Sequence, residues 1–188
     1  MKRVKIKDPN SPLFNICWNL YNQAFPEIER RPLDYHLEAM GKDAFNFEAI
    51  LLNNSFIGFI SWWEFDDVIY IEHFAVDNSL RGGGYGKKIL NDFIQEYSKP
   101  IILEVEHPQD FMQQRRINFY EREGFILNPY NYSQPPYNGQ DGRFLELLII
   151  TYPKAITRQE LDNFIATKLP IIHFRYNFDN NYIFELRF

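Results

Sequence analysis

A chain of 188 residues with 45% hydrophobic and 18% aromatic residues, among them 18 Phe and 12 Tyr, can bury one sizeable core, which excludes a disordered chain. Its net charge of -5 and pI near 5.4 argue against sequence-independent nucleic-acid binding, which needs clustered Lys and Arg to neutralise phosphates. The one cysteine, Cys17, excludes an intramolecular disulfide, the opening MKRVKIKD has no apolar stretch behind its charges, and no run nears the roughly 20 apolar residues that span a bilayer, so a cytoplasmic protein with no membrane partner is expected.

In chain order, Val4 and Ile6 alternate with Lys, then Ser11-Pro12 opens an apolar-periodic run through Phe14, Ile16, Cys17, Leu20 and Phe25: a strand, then a helix. A Pro26–Pro32 loop leads to a short helix around Leu33–Met40. Phe45–Leu52 and Phe56–Phe65, joined by Asn53-Asn54-Ser55, read as a hairpin, and Asp66-Asp67 turns the chain into a third strand, Val68–Val76. After a glycine cluster, Lys87–Tyr97 carries Ile89, Leu90, Phe93 and Ile94 on one helical face. Pro100–Glu106 reads as a strand and Gln113–Glu123 as a helix ended by Gly124. Strand, glycine loop, helix, strand is a crossover that makes its two strands parallel. Phe125–Tyr132 and Phe144–Tyr152 are further strands around a turn-rich Gln134–Gly142 segment. Thr157, with Glu160 three residues on, caps a helix at Arg158–Ala166, and an aromatic strand ends the chain. One α/β (α+β) domain over 1–188 is expected, in which 154–188 form a helix and strand extension. Its aromatic end either covers the core or pairs two subunits as a homodimer.

The informative segment is IEHFAVDNSLRGGGYGKKIL, a strand, a turn, consecutive glycines and a helix. Glycine permits positive φ and close approach of a ligand, and the first N–H groups of a helix point outward, partly positive and without an intrahelical partner. Together they make a phosphate cradle. A Gly-Lys-Ser/Thr ending is absent, and the dinucleotide fingerprint is incomplete. The competing reading of the glycines alone is a surface turn.

Arg81-x-x-Gly84-x-Gly86 resembles the pyrophosphate loop of the GNAT acetyltransferases, a loop of Arg or Gln, two residues, Gly, one residue, then Gly or Ala. Phe74-Ala75-Val76-Asp77 resembles the strand edge that enters this loop, and Phe119-Tyr120-Glu121-Arg122-Glu123-Gly124-Phe125 resembles the family's second motif. The resemblance covers Phe45 to about Tyr152. It implies the GNAT fold, a mixed, mostly antiparallel sheet with a central splayed parallel pair flanked by helices. It also implies acetyl-CoA as cosubstrate, with Arg81, Gly82, Gly83, Gly84, Tyr85, Gly86 and Lys87 around its pyrophosphate. The backbone of Phe74, Ala75 and Val76 would bond the pantetheine arm, with the Phe74 N–H stabilising the oxyanion. Tyr120 would stand near the departing sulfur and protonate it, unless it is simply core. Gln113 stands where many relatives have Asn, and Arg115 and Arg116 are read either as CoA phosphate contacts or as a solvated helix face.

Among carboxylates, Glu72 is the first candidate for the base that takes a proton from an acceptor ammonium, since alternation along the strand puts it on the face of Phe74. Glu64, Asp66 and Glu104 are the alternatives. The acidic set Glu64, Asp66, Asp67 and Glu72 suggests a cationic primary amine of a small molecule or peptide as acceptor. His36, His73, His107 and His173 lack metal-ligand spacing, so no metal is expected. Trp62 and Trp63 face opposite sides of a strand, one in the core and at most one at a pocket. The Tyr132–Tyr137 segment is read as a stiff lid or wall, or as a plain Pro-rich turn. Direct acetyl transfer in a ternary complex is the expected activity; the alternative is a non-catalytic acyl-CoA-binding or sensor module of the same fold.

Overall fold

The computed structural model describes residues 1–137 and 143–178. The chain divides into two compact units, Met1–Lys99 and a second that starts at Pro100.

In the first unit, strands β1 (Lys2–Lys5), β2 (Phe45–Leu52), β3 (Ser55–Glu64) and β4 (Ile69–Val76) form an antiparallel run in that order. Helices α1 (Pro12–Ala24), α2 (Leu33–Met40) and α3 (Tyr85–Glu96) complete the unit, with short turns of 3-10 helix at Glu27–Glu29 and Asn78–Leu80. The start of α1 is set by Ser11, whose hydroxyl accepts from the Phe14 N–H at 3.2 Å, and by Pro12, whose missing N–H costs nothing at a first helical position. The β2–β3 hairpin turns at Asn53 and Asn54, with φ of 51° and 64°, the left-handed region that Asn tolerates best after Gly.

Both faces of β3 are covered. On one, Trp63 packs against Phe45 with ring centroids 5.0 Å apart, and Phe47 and Phe59 meet the aromatic side of α1 and α2. On the other, Trp62 packs against Phe93 at 5.3 Å and Tyr97 at 4.8 Å. The two tryptophans do face opposite ways, but both are core: Trp62 is 1% and Trp63 0% exposed, so neither walls an open pocket. Helix α3 starts two residues earlier than its apolar periodicity suggests, because Gly84 forms its N-cap.

The second unit holds β5 (Ile101–Glu106), α4 (Phe111–Arg122), β6 (Ile126–Gln134), β7 (Leu145–Tyr152), α5 (Arg158–Thr167) and α6 (Leu169–Ile172). Here β7 lies between β5 and β6, antiparallel to both. The expected Thr157–Glu160 capping box is present on α5, and Asp110 with Gln113 forms another on α4. Asn128, 2% exposed, donates to Thr151 Oγ1 at 3.0 Å and accepts from the Ile156 N–H at 3.0 Å, which ties the segment after β7 to β6. Within Tyr132–Tyr137 the first three residues end β6 and all but the half-buried Ser133 are buried, which suits a wall better than an open lid; Tyr137 stacks on His173 at 4.6 Å. The expected final aromatic strand falls largely on 179–188, outside the described residues.

Antiparallel strands packed with helices in each unit give the α/β class that the sequence leads one to expect. Among the described residues no helix is long and apolar enough to cross a membrane.

Candidate active site

The strand that should meet the thioester is irregular at its centre. Ser61 pairs with His73 and Trp62 with Ile71, so Glu72 is an extra residue in β4, a β-bulge. Glu72 and His73 therefore turn toward the same side. The His73 ring stands edge-on to Tyr21 at 4.8 Å and Phe25 at 4.7 Å, and the Glu72 carboxylate lies 4.0 Å from His73 Nδ1. The alternation that would align Glu72 with Phe74 is interrupted.

Glu72 sits in a buried ion pair. Its Oε1 accepts from Arg31 Nε at 3.0 Å and from Nη2 at 2.6 Å, its Oε2 from Trp63 Nε1 at 3.3 Å. The side chain is only 1% exposed although the residue as a whole is half-buried, so the exposed part of Glu72 is its main chain. Phe74 and Val76 are likewise half-buried, with Ala75 buried between them. Close approach of β3 to this stretch depends on Gly58, where a Cβ would stand 2.4 Å from the Ala75 carbonyl oxygen. Of the other acidic candidates, Glu64 accepts from Lys99 Nζ at 2.9 Å and Glu104 from Gln134 Nε2; Asp66 and Asp67, on the turn between β3 and β4, are exposed.

Beyond Val76 the chain is steered into the glycine loop by Asp77, whose N–H bonds the Ile57 carbonyl at 2.9 Å and whose carboxylate accepts from the Ser79 N–H at 2.9 Å. Hydrogen bonds from the Ser79 hydroxyl and from the Ser79 N–H hold the Asp77 carboxyl below the ordinary range. Gly82 and Gly84 take φ of 85° and 76°, where an L side chain is strained, and no atom lies within 4 Å of where either Cβ would point. Arg81, Gly82, Gly83 and Gly84 are exposed, and Gly86 is half-buried. Gly84 brings no capping side chain, the first turn of α3 has no acidic residue, and it carries Lys87 and Lys88 instead. Two cations at the positive end of a helix dipole repel it, and an anion bound there relieves that repulsion.

In the second unit Tyr120 lies near the end of α4, 8% exposed, against Phe119 at 5.2 Å and Phe125 at 5.5 Å. Burial pushes its phenol up to about 12. Gln113 spends its side-chain oxygen on the N–H groups of Gln109 and Asp110, at 2.7 and 3.2 Å, so as a cofactor contact it has only its amide nitrogen. Arg116 is exposed and paired with Glu106; Arg115 is exposed. Sequence reasoning missed Arg31, which a proline-flanked loop presents as an ordinary solvated cation, and the bulge, which has no sequence signal.

A family model described as "Acetyltransferase (GNAT) family" matches residues 14–125, through the end of the first unit into the second. A solved GNAT-family structure from Bacteroides thetaiotaomicron superposes with a TM-score of 0.86 at 32% identity, covering 92% of this chain and 98% of that one. The chain thus belongs to the acetyltransferase (GNAT) family and is an acyltransferase. YjbC of Bacillus subtilis (strain 168), which carries an acetyltransferase name, is 38% identical over 64 residues, spanning 33% of this chain and 33% of that protein. An aminoglycoside 6'-N-acetyltransferase solved with coenzyme A shares the fold, with a TM-score of 0.58 at 15% identity over 84% of this chain and 99% of that one.

Proposed function

We propose that this chain, acting as one domain in the cytoplasm, transfers the acetyl group of acetyl-CoA to a primary amine of a small molecule or peptide, by direct attack in a ternary complex. The observation that carries this reading is the Arg81–Gly86 loop, where open positive-φ glycines, an uncapped helix start and a cationic first turn coincide. Those features fit a pyrophosphate, and the coenzyme A held by the aminoglycoside acetyltransferase of the same fold supports acetyl-CoA as its bearer.

The amine nitrogen attacks the thioester carbonyl carbon, the carbon–sulfur bond breaks, and the thiolate takes a proton. On the family resemblance, the Phe74 N–H stabilises the oxyanion and Tyr120 is the proton donor to sulfur. A phenol pushed up to about 12 holds its proton throughout the working pH range. Glu72, with one oxygen on Arg31 and the other facing Trp63, acts on the ammonium proton only by way of solvent. Its main task is then geometric. Asp66 and Asp67 supply the exposed negative charge that draws in a cationic acceptor.

Thiol release from acetyl-CoA against a panel of amines, alcohols and anionic acids tests this reading. Turnover restricted to amines supports it. Acetyl-CoA binding without thiol release from any acceptor makes the chain a binding module, and no binding at all removes the cradle.

A further inference from the structure

We infer that Arg31 is a positioning residue for acetyl transfer: from the loop between α1 and α2 it clamps the β4 bulge at Glu72 and thereby fixes the direction of the Phe74–Val76 main chain. This rests on the activity proposed above, and it adds a residue that no motif of the family resemblance contains.

Three observations carry it. First, the bulge needs something to hold it, since an extra residue is left outside the β3 pairing and its ladder is locally broken. Second, the same loop grips two successive residues of that stretch. Arg31 Nε and Nη2 donate to Glu72, and neutral His73 donates Nε2–H to the Glu29 carbonyl at 2.8 Å. The loop is itself anchored, because the Arg31 N–H donates to the Tyr21 hydroxyl at 2.8 Å and the guanidinium lies over Tyr35 at 4.5 Å and Trp63 at 5.5 Å. Third, a buried ion pair is a poor way to gain stability, because desolvation offsets most of its attraction, and apolar residues of similar volume often serve as well. What charge and a planar fork supply in addition is a fixed geometry. The main chain so fixed is exposed at Glu72, whose side chain is not, and runs directly into the half-buried Phe74 and Val76.

The test compares the wild type with Arg31→Lys and with the double variant Arg31→Met/Glu72→Met. The readouts are amide hydrogen exchange in the ligand-free protein, acetyl-CoA affinity by calorimetry, thermal midpoint and kcat. Arg31→Lys should speed exchange at the Glu72, His73 and Phe74 amides by about tenfold relative to those of β2. It should lower kcat by about tenfold or more, with a smaller loss of acetyl-CoA affinity, since the pantetheine arm loses part of its hold on β4 while the glycine loop keeps the pyrophosphate. The double variant should regain thermal stability and not kcat. Unchanged exchange in Arg31→Lys, or recovery of kcat along with stability in the double variant, would reduce Arg31 to a structural ion pair and overturn the proposal. Should the double variant fail to fold, the Lys variant alone decides. Should the wild type transfer no acetyl group, the proposed activity fails, while exchange still decides whether Arg31 holds the bulge.

Discussion

Arg31 and Glu72, 41 residues apart in the chain, form an ion pair whose side chains are 0% and 1% exposed. Such a pair is costly to break from one side, because the remaining charge stays buried without its partner. Glu72→Gln keeps the shape and removes the charge, so it should destabilise the protein by roughly 3–5 kcal/mol in urea unfolding. A loss below about 1 kcal/mol, the value of an exposed pair, would mean that water reaches Arg31.

Two glycines should separate binding from folding. At Gly84 a side chain has open space but an unfavourable φ of 76°, so Gly84→Val should cost only about 1–2 kcal/mol in stability while placing methyl groups where a phosphate would sit. Acetyl-CoA affinity by calorimetry should fall by about 100-fold or more, some 2.7 kcal/mol. Gly58→Ala should do the opposite. Its Cβ would meet the Ala75 carbonyl oxygen at 2.4 Å, forcing β3 and β4 apart at a cost of about 1–3 kcal/mol in unfolding. Equal effects of both changes on affinity would undo this division.

Much of this was legible in the sequence because it is written in local chemistry. The hairpin at Asn53-Asn54, the Thr157–Glu160 box, the amphipathic α3 and the positive-φ glycine loop each follow from residues a few positions apart. What escaped depends on partners distant in the chain. Glu72 reads as a catalytic strand carboxylate because Arg31 comes from a loop with no periodicity of its own. The face shared by Glu72 and His73 escaped because the register that creates the bulge belongs to β3 as much as to β4. Tyr132–Tyr137 reads as a turn from its prolines, yet is buried against α6 and its flank through the His173 stack.

Acid should find the aromatic cluster of the first unit. His36 lies between Trp18 at 5.0 Å and Phe47 at 4.6 Å, its Nε2 has no hydrogen-bond partner among the described residues, and burial pulls its pKa from 6.5 down to about 3. A depressed folded-state value means that its contribution is fully present above pH 6.5 and is lost as pH falls toward 3. Over that window the folded state should lose up to about 1.4 kcal/mol per pH unit on account of His36. Denaturation midpoints across pH 3–7 check this. His36→Phe should flatten the acid side of the profile, and a variant profile parallel to the wild type would show that the ring does not titrate on unfolding.

Tyr120 poses the sharpest test of the chemistry, because its surroundings suit a core aromatic as well as a proton donor. The ring is 8% exposed and packed on Phe125, contacts that phenylalanine would keep. Tyr120→Phe should therefore change stability by less than about 1 kcal/mol, as volume-conserving swaps do. If the hydroxyl protonates the departing thiolate, kcat should fall by roughly 100-fold with acetyl-CoA affinity unchanged, the pattern of a group that acts in the transition state. The raised phenol adds a pH signature. Since its folded-state value is pushed up from 10 to about 12, Tyr120 stays protonated wherever the enzyme is assayed, so the wild-type kcat should show no alkaline fall from this residue below pH 10. Its contribution to stability should likewise be intact below pH 10 and decline as the pH rises toward 12. Wild-type turnover in Tyr120→Phe would return the residue to the core and send the search for the proton donor to solvent.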